Sequence, residues 1–243
     1  VHVRGVSIHG DRFPTRERYP FNLPIFHRTE RVVFESPVTF FAGENGTGKS
    51  TLLEAIAHQC GIHIWRDTQR SRFELNPYED SLRDHISVHW VDGPVPGSFF
   101  GSSVFQYFTQ VLDQWAAADP GQLDYFGGRS LVTQSHGQSM MSYFRNRYRI
   151  KGLYLMDEPE TALSPQTQLA LLEILATMGH AGHAQFIVAT HSPILLACPG
   201  AVIHAFDDPP IRPVSYEDTA HYRIYRAFMA DPWGYLRSLG SGG

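Results

Sequence analysis

Apolar positions along the chain fall into two rhythms, short continuous or alternating runs and stripes at helical spacing, and the two take turns. Val1–Ile8 and Arg31–Glu35 read as strands on either side of a turn-rich stretch in which Tyr19–Pro24 excludes helix. Val38–Ala42 (VTFFA) is too short for a helix and rich in β-branched and aromatic residues, so it is a buried strand. Leu52, Leu53 and Ile56 then form the inner face of a helix over Thr51–His58, stopped by Gly61. A polar connection from Ile62 to Asp84 leads to a strand at His85–Val91, and Asp92–Gly97 breaks the chain. Val104, Tyr107, Phe108, Val111, Leu112 and Trp115 stand at helical spacing up to Asp119-Pro120-Gly121. A helix after Gln134 has Met140, Met141, Phe144 and Tyr148 as its inner face.

The second half repeats the alternation. Leu153–Met156 is a strand, Ser164-Pro165 is a cap and first-turn pair, and Leu169, Leu172 and Leu175 carry the following helix across the sheet. Gly179–His183 closes it as a loop, so His180 and His183 are turn residues. Gln185–Thr190 and Ala201–Phe206 are further strands, and Asp207–Pro210 turns the chain. The closing helix is capped by Asp218 or Thr219 and packs through Tyr222, Tyr225, Phe228 and Met229. Strands alternating with helices predict an α/β fold with a mostly parallel core sheet flanked by helices. The expected organisation is one domain over 1–243, with a small helical insertion at about 92–150 and a flexible tail at 238–243.

The chemistry gathers where strands end. Gly43-Glu44-Asn45-Gly46-Thr47-Gly48-Lys49-Ser50-Thr51 matches G-x-x-x-x-G-K-[ST] between a strand and a helix, the layout of a nucleotide phosphate cradle. Glycines let backbone N–H groups converge on phosphate, and the helix N-terminus adds a positive field. Lys49 would neutralise the β and γ phosphates and Ser50 would ligate Mg²⁺. Strand Leu153–Met156 runs into Asp157 and Glu158, which sets one carboxylate against Mg²⁺ and the next where it can polarise water. Ser135, His136, Gly137 and Gln138 open a helix with the small hydroxyl, glycine and amide that a γ-phosphate needs when approached from outside. His191 follows a strand at its carboxyl end, where open α/β sheets place ligand chemistry.

Composition changes this picture little. A net charge of −4 gives no global pull toward nucleic acid or anionic membrane, which leaves only the local run Arg145, Arg147, Arg149 and Lys151. Cys60 and Cys198 lack metal or disulfide spacing, which fits a reducing cytoplasm. Without a signal peptide or membrane-length apolar run, direct membrane insertion is not expected.

The cradle, QSHGQ, LYLMDE, the TALS turn and ATHS occur in the order and spacing of the ABC-type ATPases, the group of transporter ATPase subunits and SMC proteins. The chain resembles most the compact free-standing bacterial AAA-family ATPases, which look like SMC heads without coiled coils; GENGTGKSTLLEAIA, Ser135–Ser139, LYLMDEPE, Ala189–Leu196 and Tyr216–Tyr222 carry the likeness. It departs at Phe99–Val104, where those relatives have an FFRAES-like segment, at Ser164 in place of the D-loop aspartate, and at the Q-loop, for which Gln106 and Gln110 are the candidates. The resemblance implies a P-loop NTPase fold of ABC-ATPase type with an N-terminal antiparallel β part. It implies ATP hydrolysis with Mg²⁺ by an ATP-dependent homodimer. Lys49 and Ser50 of one copy would hold Mg-ATP and Ser135 and Gly137 of the other would cover it, with Asp157 supporting the metal, Glu158 the base and His191 the γ-phosphate sensor. An upstream aromatic, Phe13, Tyr19 or Phe21, would stack on adenine or else simply pack the β part. Other readings are a transporter's ATPase subunit with a separate protein partner, a nucleotide-gated module of DNA repair or defence, and a small-molecule kinase.

Overall fold

The computed structural model describes residues 1–65, 76–102, 105, 111–112, 116, 121, 136–234 and 237. In chain order the elements are β1 (Val3–Ile8), α1 (Pro24–Arg28), β2 (Arg31–Val33), β3 (Val38–Ala42), α2 (Lys49–Gln59), β4 (Ile86–Trp90) and β5 (Gly97–Gly101). They continue with α3 (His136–Arg147), β6 (Gly152–Asp157), α4 (Pro165–His180), β7 (Ala184–Ala189), α5 (Pro193–Leu196), β8 (Val202–Ala205), β9 (Arg212–Val214) and α6 (Ala220–Ala230). Six strands form the core sheet in the order β5-β6-β7-β3-β8-β9. All pairs are parallel except β8 with β9. A three-stranded antiparallel sheet, β2-β1-β4, lies apart from it.

Strands buried on both faces read as near-continuous apolar runs, and β3, β6 and β7 do so apart from Thr39, Gln185 and the terminal Asp157. Side chains alternate between two cores. Phe41, Leu153, Leu155 and Ile187 point to the side of α2 and the antiparallel sheet. Phe40, Tyr154, Met156, Phe186 and Val188 point to the side of α3, α4 and α5. Two buried polar side chains tie the sheets together. Gln185 on β7 accepts from the backbone N–H of His2 (2.6 Å) and of Val3 (2.8 Å) and donates to the Val3 carbonyl (2.9 Å). His204 on β8 reaches the Val33 carbonyl at 3.0 Å. Among the described residues no helix is long and apolar enough to cross a membrane.

Three expectations change. Gly97, read as the last residue of a breaker cluster, opens β5 at the sheet edge, and a Cβ there would stand 2.4 Å from the Leu153 carbonyl. Helix α4 faces the core through Leu171, Leu175 and Gly179, whereas Leu169 is 50% exposed. Helix α6 leaves Tyr225, Phe228 and Met229 exposed, at 54%, 39% and 72%, whereas Tyr222 is half-buried against the Tyr216 ring, 4.7 Å between centroids. Thr219 rather than Asp218 caps α6, accepting from the Tyr222 N–H. The helix expected around Val104–Trp115 lies mostly outside the described residues, as do Gln106, Gln110, Gln134, Ser135 and 238–243.

Candidate nucleotide site

The site forms where β3, β6 and β7 end at the same edge of the sheet. After Ala42 the chain arches over Gly43–Gly48 and enters α2 at Lys49. Gly48 has φ +100°, and a Cβ there would meet the Phe26 ring at 2.7 Å, so only glycine lets the arch sit on α1. At the crest Gly46, φ +78°, has no atom within 4 Å of a Cβ position, which leaves the cradle open. Lys49 is 4% exposed; its Nζ donates to the carbonyls of Gly43 (2.6 Å) and Glu44 (2.8 Å). Burial pulls its pKa down, against Glu158, Asp157, Asp207 and Glu44, which favour the charged form. Asp207, beyond β8, accepts from the Glu44 N–H at 2.8 Å and so holds the arch from the far side.

Strand β6 delivers Asp157 to the start of α2. Ser50 Oγ donates to Asp157 Oδ1 at 2.8 Å, although the two residues lie 107 positions apart. Burial pushes the Asp157 carboxyl up to about 7, opposed by the Ser50 hydrogen bond and raised further by Glu158 and Glu54. A buried carboxylate in this position is poor structural design without a cation to stabilise its charge. A hydroxyl and a carboxylate in contact form the hard oxygen donor set that Mg²⁺ takes, so these residues fit the ion.

Glu158 is, among the described residues, the non-glycine with positive φ (45°). Its N–H donates to the Ala189 carbonyl at 2.9 Å, and the left-handed step turns its carboxylate sideways, with Oε1 3.4 Å from His191 Nε2. His191 is itself held at two points. Its backbone N–H donates to Glu160 Oε1 at 2.6 Å, and its Nδ1 lies 3.1 Å from His221 Nε2 on α6. Burial raises the Glu160 pKa, with the His191 N–H opposing.

Glu160, Asp207 and His221 went unassigned in the sequence. The last acid of LYLMDEPE and the histidine within Tyr216–Tyr222 were the available signals, but nothing in their spacing says that both end on His191. Of the four signature positions, Ser135 lies outside the described residues and His136 begins α3. Among the described residues a Cβ on Gly137 would meet only the Ala162 carbonyl, at 3.9 Å, and Gln138 is exposed. Among the upstream aromatics, Phe21 is buried and packs with Phe13, at 4.7 Å between ring centroids, and with His85. Tyr19 is exposed and its hydroxyl meets Thr51 Oγ1. In the basic run Arg147 is committed to the Gly97 carbonyl (3.1 Å) and the Tyr154 ring, while Arg145, Arg149 and Lys151 are exposed.

Comparison with known proteins bears on the fold. Residues 138–197 match a family described as "AAA domain, putative AbiEii toxin, Type IV TA system", and residues 22–72 match one described as "AAA domain". No curated protein matches the chain. The SMC head domain from Thermotoga maritima is similar at TM-score 0.51 and 16% identity, over 88% of this chain and 100% of that one. So is cbiO1 from Clostridium perfringens, part of the ABC transporter complex cbiONQ, at TM-score 0.51 and 16% identity, over 98% of this chain and 100% of that one. The chain therefore has the fold of an ABC/SMC-type P-loop ATPase.

Proposed function

We propose that the protein binds ATP with Mg²⁺ and hydrolyses it, with the nucleotide held between the cradle of one copy and the signature helix of a second. The observation that carries this reading is the convergence of Ser50, Asp157, Glu158 and His191 beside the Lys49 arch at the ends of three adjacent strands. The backbone amides of Gly43–Ser50 and Lys49 would bind the phosphates, and Ser50 and Asp157 would hold the ion. Bound Mg²⁺ supplies positive charge that neutralises the phosphate oxygens. Glu158 would orient and deprotonate the attacking water, and His191, 3.4 Å from Glu158, would sense the γ-phosphate and steady that water. In phosphoryl transfer such positioning and charge neutralisation supply nearly all of the catalysis.

The open surroundings of Gly137 on its own chain support the use of Ser135, His136, Gly137 and Gln138 by a second copy. ATP would then join two copies and hydrolysis would release them. Phosphate release that needs Mg²⁺, falls by on the order of a hundredfold or more in Glu158→Gln, and leaves ATP binding intact there is the expected result. Loss of binding in Lys49→Ala completes the test. Equal phosphate release by Glu158→Gln and the wild type would refute the assignment.

The family description over residues 138–197 favours a second reading, in which nucleotide turnover gates a defence role. Growth arrest on expression, abolished by Lys49→Ala, would support it, and unaltered growth would count against it.

A further inference from the structure

His191 and His221 face each other through Nδ1 and Nε2 at 3.1 Å, and a neutral imidazole carries one ring proton. Only one proton can occupy that contact, and the two outer nitrogens decide whose it is. Were His191 the donor, His221 would carry its own proton on Nδ1, which is buried and has no hydrogen-bond partner among the described residues. His191 Nε2 would at the same time aim a lone pair at the Glu158 carboxylate 3.4 Å away. With His221 as donor, its Nδ1 becomes an unpartnered acceptor, and His191 Nε2, itself buried and without a hydrogen-bond partner among the described residues, carries its proton 3.4 Å from the Glu158 carboxylate. Each arrangement leaves one buried N–H outside hydrogen-bonding geometry, and the carboxylate decides between them, because an N–H facing Glu158 attracts where a lone pair repels.

We infer that His221 is a positioning residue that holds His191 in its Nε2–H tautomer, so that the ring offers a donor on the side of Glu158. The inference deepens the proposed function and rests on its assignment of His191 to the hydrolytic site. The start of α6 and the turn before it place His221. Thr219 caps α6 two residues earlier, its Oγ1 also donating to the Tyr216 carbonyl at 2.7 Å, and Tyr216 OH donates to the Pro193 carbonyl at 2.9 Å. The segment Thr190–Pro193 after β7 is thus held by His221 of α6 at the His191 ring and by Tyr216, in the turn before α6, at the Pro193 carbonyl. His221 is 9% exposed, and its burial first, then the neighbouring His191, lowers its pKa, which keeps it neutral against the pull of Asp207 and Glu44. Neutrality is what the pairing needs, since a doubly protonated His221 would leave Nδ1–H stranded.

Nitrogen-15 NMR of the nucleotide-free protein at about pH 8, where free histidine is neutral, tests the pairing without any turnover. The His191 signals are those lost in His191→Gln. Wild-type His191 should show a protonated Nε2 and a lone-pair Nδ1, His221→Phe should move both toward the average of the two tautomers, and His221→Gln, whose amide can donate from the same place, should keep the wild-type pattern. A protonated Nδ1 in the wild type, or a pattern untouched by His221→Phe, overturns the inference. In steady-state hydrolysis His221→Phe should lose at least about tenfold in kcat with KM within about twofold, and His221→Gln should recover most of that loss. Tautomer averaging with unchanged kcat would overturn the positioning role. A wild type without hydrolysis would defeat the proposed function instead, while the NMR result still decides the pairing. Should His221→Phe fail to fold, the wild-type and His221→Gln spectra carry the same decision.

Discussion

At the scale of single residues, Glu158 combines a carboxylate with a backbone conformation that favours glycine. A non-glycine residue in the left-handed region costs roughly 1–2 kcal/mol, and here the cost places the acid across the end of β7 rather than along β6. Glu158→Gly relieves it, so thermal unfolding of that variant should begin no lower than in the wild type although hydrolysis is lost. A drop in midpoint of several degrees would show that the φ of 45° carries no strain. Contiguous chemistry of this kind was legible in the sequence: the cradle, Asp157, Glu158 and His191 stand in short motifs whose residue types leave few alternative uses. Glu160, Asp207 and His221 were not, because each acts on the backbone or ring of a segment far away in the chain.

Among the elements, α6 links structure to site. Thr219 starts the helix that delivers His221, and removing a capping hydroxyl costs about 0.5–2 kcal/mol. Thr219→Ala should lower the unfolding free energy by that amount and also reduce kcat, whereas a purely structural cap would leave kcat alone. Periodicity identified this helix and its apolar stripe, but periodicity reports that a face is apolar and not what covers it, and Tyr225, Phe228 and Met229 proved to be exposed. The same limit explains Leu169, which shares a helical stripe with Leu172 yet lies outside the face that Gly179 brings against Val38. Strand β5 escaped notice for a different reason: glycine at both ends hides a strand whose close approach to Leu153 demands glycine.

Across the whole molecule, the α/β alternation and the run of buried parallel strands followed from the residue pattern, while the joint between the two sheets did not. That joint rests on Gln185, a polar residue in a strand buried at every position. Gln185→Leu keeps the volume but leaves the backbone N–H and carbonyl of Val3 without their partner, so unfolding free energy should fall by about 2–4 kcal/mol in denaturant titration. A change below about 0.5 kcal/mol would mean that the sheets are held by apolar packing alone.

ATP held between two copies should show in the solution mass of Glu158→Gln with and without Mg-ATP. Removing the base while leaving the cradle intact should trap the joined state, so a monomer that doubles in mass only when Mg-ATP is present is the expected result. An unchanged mass with ATP demonstrably bound would contradict it.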